Sequence, residues 1–188
     1  MNKIKLDQRY SPYQMPCVII GAIVDKKPNF MLGTWVSRVN RKPPIWMASI
    51  NKRHYTINGI KENNIFSMNF PSANLVKKMD YIGIISGREI DKSSLFDIFY
   101  GDINVPMIEE CPLNIELSVK DLIELSDHYI VLGIAVNSYI SENCQSDAKL
   151  DIRKLNLIIY TGAENQPTYW SLGKKLGDAF KLGQALKN

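Results

Sequence analysis

The sequence predicts a mainly β protein, a closed or nearly closed antiparallel β-barrel with peripheral helices. Two observations carry this expectation. Short apolar, β-branched runs recur along the 188 residues with few helix-like stretches between them. No G-x-G-x-x-G motif follows any of these runs, which argues against a doubly wound nucleotide-binding sheet. With 188 residues and 45% hydrophobic content, a single core and a single domain over residues 1–188 are expected.

Residues 17–24, CVIIGAIV, read as a first strand that ends at the turn signature Asp25-Lys26-Lys27-Pro28-Asn29. A second strand leaves near Phe30 and reaches Trp35 or Val36, making a hairpin. Arg41-Lys42-Pro43-Pro44 breaks the chain before a third apolar run at 45–50. A helix over 55–63, a strand over 65–70 and a helix over 72–82 follow. In the last of these Leu75, Val76 and Met79 repeat at helical spacing, and Ser72 stands where an N-cap belongs. Residues 86–112 are irregular, rich in glycine, proline and charge, with one helical turn at 92–96; long irregular stretches in compact domains often carry function. Residues 114–125 alternate at Ile115, Leu117 and Val119, and 128–140 are almost continuously apolar, so both faces of that strand are expected to be covered. A final strand at 155–160 and a helix over 171–186, interrupted by glycines at 173, 177 and 183, complete the reading.

The charge balance excludes several classes. Lys plus Arg number 23 against 19 acids, a net charge of +4, and the basic residues are scattered rather than striped. Pairs such as Lys26-Lys27, Lys77-Lys78 and Lys174-Lys175 read as solvated surface, so no nucleic-acid partner is expected, whereas a local positive field around an anionic ligand is compatible. MNKIKLDQRY lacks the apolar core of a secretory signal and no stretch has the length of a membrane span, so a cytoplasmic protein with no membrane partner is expected. Cys17, Cys111 and Cys144 are odd in number and widely spaced, which argues against a disulfide framework or a zinc site.

Residues 46–92 hold three polar clusters, SINKRHYT, NFPSANLV and DYIGIISGREIDK, separated by short apolar runs. Loops that converge on one ligand leave this pattern. Ser49, Arg53, His54, Tyr55 and Thr56 place hydroxyls and positive charge just before the helix that starts near Thr56. A helix N-terminus presents free N–H groups and the positive end of its dipole, so this cluster makes a cradle for a phosphomonoester, with Thr56 as N-cap. The competing reading is that Thr56 only caps the helix and Arg53 only meets water.

TWVSRV at 34–39, KPPIWMASINKRHYT at 42–56, NFPS at 69–72, DYIGIISGREIDK at 80–92, EECPLNIE at 109–116, DH at 127–128 and YWSLG at 169–173 arrive in one order along the chain. In this series the sequence resembles the flavoredoxin and flavin reductase-like family, from about residue 15 to 173. The resemblance implies an FMN-binding split barrel that forms a homodimer with the flavin near the subunit interface. FMN is preferred over FAD, which shares its ring and first phosphate.

A flavin needs donors for its phosphate and, for its ring, an apolar wall, edge donors and one open face. Ser49, Arg53, Tyr55 and Thr56 suit the phosphate and ribityl end. The residue alone reads more readily as a core tryptophan, but the resemblance implies that Trp35 lines the ring pocket. Lys92, placed near the pyrimidine end, would stabilise the anion formed on reduction; its alternative is a surface ion pair. Asn29, assigned to the hairpin turn, Thr34, Ser37, Arg38, Asn69, Ser86, Gly87 and Arg88 are further cofactor-binding candidates, with Tyr160 and Tyr169 as pocket-lining aromatics. His128 is a candidate beside the flavin by the resemblance, without an assigned proton transfer, and no other catalytic residue is nominated. The function implied is transfer of hydride or electrons through FMN. As a flavin reductase the protein would take hydride from NADH or NADPH; as a flavoredoxin it would exchange electrons with a partner protein. The alternative is a non-enzymatic flavin carrier or sensor.

Overall fold

The computed structural model describes residues 2–5, 14–146, 149–163 and 166–187. β1 (Gln14–Pro16) and β2 (Val18–Val24) lead into β3 (Lys27–Gly33), β4 (Val36–Asn40) and β5 (Ile45–Asn51). α1 (Thr56–Asn63), β6 (Ile65–Phe70) and α2 (Val76–Ile84) follow, then β7 (Ile98–Tyr100), β8 (Pro106–Ile108), β9 (Leu113–Glu124) and β10 (His128–Ile140). The last elements are β11 (Gln145–Ser146), β12 (Lys149–Leu150), α3 (Ile152–Leu155), β13 (Ile158–Ala163) and β14 (Gln166–Ser171).

Seven strands form one antiparallel sheet in the order β3-β2-β6-β9-β10-β5-β4, curled so that β3 approaches β5 as a split barrel. The β9–β10 ladder shifts register at Leu132/Gly133 and again at Ala135/Asn137. Such bulges increase local twist and let long strands bend around a barrel. The mainly β expectation therefore holds.

Both faces of β2 are buried, which is why its sequence shows no alternation. Val18, Ile20 and Ala22 point into a core with Phe66, Met68, Ile115 and Leu117, closed by Ile57 and Ile60 of α1. On the other face Cys17 and Ile19 join a second core with Phe30, Phe96 and, from α2, Met79 and Ile82. The three-residue spacing of Ile57 and Ile60 thus marks the buried stripe of α1. Gly59 lies on the same stripe, where a Cβ would stand 2.0 Å from the Ile23 carbonyl oxygen, so only glycine lets α1 sit this close to β2.

Several elements differ from the sequence reading. The first hairpin turns on two residues, Asp25 and Lys26, both left-handed at φ 48° and 65°, the backbone of a tight primed turn. Asn29 consequently lies inside β3 and not in the turn. The second strand stops at Gly33, and a separate edge strand, β4, begins beyond Trp35; four of its five side chains are exposed, so it has no apolar period to find. β14 escaped for a similar reason: Thr168 and Trp170 face solvent. Residues 171–186 are not an α-helix: after β14 the only helical element among the described residues is a short 3-10 turn, Leu182–Leu186. Their side chains are exposed, so no packing offsets the cost of three glycines. Nor are both faces of β10 covered within one chain; Val131 and Gly133 are buried, but Val136 is exposed.

Candidate functional site

Asn29 of β3, the N-terminal turn of α1 and the loop after α2 converge on one cleft of about 190 Å³. Thr56, Ser86 and Lys92 are among its polar lining, with Met31 and Ile84 as apolar wall. Thr56 is the first residue of α1 and not its cap; Tyr55 occupies the N-cap position and no side chain caps the helix. The Thr56 hydroxyl instead accepts a 2.7 Å hydrogen bond from the Asn29 amide, with both residues buried. Gly87 closes this floor: a Cβ there would lie 2.0 Å from Asn29 Oδ1, so the Ser86-Gly87-Arg88 loop can pack on Asn29 only without a side chain. Tyr55 donates its hydroxyl to Asp25 and carries the Arg88 guanidinium 5.1 Å over its ring. An adjoining lobe, lined by Lys27, Arg88, Glu89 and Asp91, shares Asn29, Tyr55, Gly87 and Lys92 with the cleft.

Lys92 is only 4% exposed and donates 2.7 Å to the Ile82 carbonyl. No carboxylate among the described residues pairs with it, so the surface ion pair read as its alternative is not what the fold builds. Burial pulls its ammonium down to about 8. An unpaired buried cation at a cleft is costly unless an anion comes to it. His54 lines the same cleft, half-buried; burial first, then the charges of Lys92 and His128, hold its imidazole below the ordinary histidine range.

The structure brings Asn29, Arg53, Tyr55, Thr56, Ser86, Gly87 and Lys92 into the cleft, with Arg88 at the adjoining lobe. Thr34, Tyr160 and Tyr169 line a neighbouring groove that shares Gly83 and Ile84 with it. There the Tyr169 hydroxyl donates 2.8 Å to Asp80, tying β14 to α2; burial and this carboxylate push the phenol pKa upward. Trp35 is not a core tryptophan: it is 47% exposed and stacks on His128 at 5.1 Å and 24°. Ser49 sits in β5 beside it, its N–H donating to the Trp35 carbonyl. Six candidates line neither the cleft, its adjoining lobe nor the groove: Trp35, Ser49 and His128, together with Ser37, Arg38 and Asn69. Ser37 and Arg38 lie exposed on the edge strand β4. Asn69 is fully buried, donating to Ile19 and Ser67 and accepting from Ile108 and Asn114, which leaves its amide no free position for a ligand.

The sequence does not distinguish Met31, Gly83, Ile84 and Ile85, because an apolar pocket wall carries the same signal as a core. In the sequence His54 reads only as part of the charge before α1, although it stands between the candidates Arg53 and Tyr55.

These donors fit an anionic, planar cofactor. The cleft offers an unpaired ammonium and an exposed guanidinium, Arg53. The backbone N–H groups of Tyr55 and Thr56 find no acceptor among the described residues. A helix start with free N–H groups accepts a phosphate, and the apolar wall accepts a ring.

The model of the family described as flavin reductase like domain matches residues 10–162. The crystal structure of flavoredoxin from Methanosarcina acetivorans superposes with a TM-score of 0.94 at 41% identity, covering 99% of this chain and 100% of that one. Flavoredoxin of Desulfovibrio vulgaris gives 0.88 at 30% identity, over 97% and 100% of the two chains. An FMN-binding protein from Thermus thermophilus, at 22% identity and a TM-score of 0.78 over 95% and 97%, shares the fold. The alignments span 60% and 63% of the length of two curated relatives the chain matches. By the family model over most of its length and by these two flavoredoxin likenesses, the chain belongs to the flavin reductase-like domain family.

Proposed function

We propose that this protein binds FMN in the cleft between β3, α1 and the loop after α2, and serves as a redox protein of the flavoredoxin and flavin reductase type. The observation that carries this reading is the buried, unpaired Lys92 ammonium sharing one cleft with Thr56 and Arg53. When bound, FMN supplies a ring that accepts a hydride or single electrons. Arg53 and the N–H groups of Tyr55 and Thr56 hold the phosphate, and the Asn29–Thr56 hydrogen bond fixes the floor between phosphate and ring. Met31 and Ile84 would form the apolar wall against the ring, and Lys92 would meet the charge that reduction places on it. Hydride delivery to a flavin requires no protein acid or base.

Added FMN should give the purified protein a yellow, protein-bound flavin spectrum, and no bound flavin after addition would overturn the reading. Anaerobic mixing with NADH and with NADPH then assigns the electron donor. Bleaching by either marks a reductase, and bleaching only by dithionite marks a flavoredoxin or carrier that depends on a partner protein.

The same reading includes a homodimer. The half-covered β10 and the exposed Trp35, Trp170, Leu176 and Phe180 are surfaces a second copy would cover. Light scattering should give two chains per particle, and a single-chain mass would remove this part of the reading.

A further inference from the structure

We propose that His54 takes up a proton when a flavin in the cleft is reduced, so that the negative charge placed on the ring is matched by an imidazolium beside it. This rests on the FMN reading above. The geometry singles out His54 over the other histidine. His128 is already engaged, its Nδ1 2.9 Å from Asp127 and its ring stacked on Trp35. His54 lines the cleft with Thr56, Ser86 and Lys92, and among the described residues its imidazole has no hydrogen-bond partner.

The charged groups that face His54 are Lys92 across the cleft and His128 from the start of β10; both oppose its protonation. Its chain neighbours add the Arg53 cation and the Tyr55 phenol, which is bound to Asp25 and covered by Arg88. No carboxylate among the described residues acts on the imidazole, and burial with these charges favours its neutral form; a negative charge from outside the protein would oppose them. Reduction supplies that charge. A hydride donor of the nicotinamide class delivers two electrons and one proton to the ring, leaving it with one more negative charge. His54 then draws a proton from solvent, forming an N–H bond on the imidazole, and the net charge of the cleft is unchanged. His54 stands between Arg53 and Tyr55 in the chain and lines the same cleft as Lys92, so a comparison of riboflavin with FMN separates a response to the ring from one to the phosphate.

The test is an NMR pH titration of the imidazoles in full-length protein, flavin-free, with riboflavin, with oxidised FMN and with FMN reduced by dithionite. The two signals are assigned with His54→Gln or, should that variant fail to fold, with His128→Gln. The His54 pKa should move little with either oxidised flavin and rise by about one unit or more on reduction. Between those two pKa values the reduction equilibrium of the wild type should change about a hundredfold per pH unit, against about tenfold in His54→Gln. An imidazole that ignores reduction overturns the proposal. So does one that rises with oxidised FMN but not with riboflavin, since it then senses the phosphate. Absence of any bound flavin, visible in the absorbance spectrum, instead overturns the FMN reading itself and this proposal with it.

Discussion

Replacing Lys92 by methionine should lower the midpoint potential of bound FMN by roughly 40–90 mV while leaving the flavin bound. A unit charge about 4 Å from the reduced ring is worth about 4 kcal/mol at an effective dielectric near 20, and partial solvent access brings that towards about 2. For a two-electron couple about 1.4 kcal/mol corresponds to roughly 30 mV. Methionine keeps the length of the side chain, so the loss is chiefly of charge. Spectroelectrochemical titration reads the potential directly, and an unchanged value would place the ammonium away from the ring. The same residue makes a pH prediction for the flavin-free protein. Its pKa is about 8 in the fold, below that of an exposed lysine, because burial penalises the ammonium. Between pH 8 and about 10.4 the unfolded chain therefore binds a proton that the folded chain has lost, and stability rises with pH across that window. The gain is about 3 kcal/mol, and urea titrations of Lys92→Met should lack it.

The parts of this site that were legible in sequence are those whose physics is local. Thr56 and Arg53 sit where a helix must begin, because Ile57 and Ile60 mark a buried stripe three apart, and no tertiary knowledge is needed to see it. The apolar runs at 65–70 and 128–140 coincide with β6 and β10 because each ends at polar or turn residues on both sides. What failed was whatever depends on a partner distant in sequence. In the sequence Asn29 reads as a turn residue because two-residue and five-residue turns draw on the same residues; only the pairing of Ala22 with Asn29 decides which one forms. Asn69 has the composition of a ligand contact, yet its amide holds β8 to the sheet through the Ile108 N–H, a role set wholly by tertiary packing. The burial of Lys92 was equally hidden, since it depends on the Ile82 carbonyl at the end of a helix ten residues away.

The double substitution Arg53→Ala with Thr56→Ala should weaken FMN by roughly 10- to 100-fold and riboflavin by less than about threefold. The expected loss is one charge-assisted hydrogen bond or its equivalent, about 1.5–3 kcal/mol, and it exists only when a phosphate is present. Riboflavin is the necessary control because Thr56→Ala has a second consequence. It removes the acceptor of the buried Asn29 amide, which costs about 1–3 kcal/mol of stability and loosens the cleft floor for any ligand. Both flavins feel that loosening, whereas only FMN feels the missing guanidinium. Equal weakening of the two, measured by fluorescence quenching, would show that these residues support the floor without meeting the phosphate. Salt provides an independent check. Arg53 is exposed, so its attraction to a phosphate should be screened, and the preference of the wild type for FMN over riboflavin should shrink as ionic strength rises. In the double variant that dependence should nearly vanish, because the remaining buried cation, Lys92, acts on the ring that both flavins share.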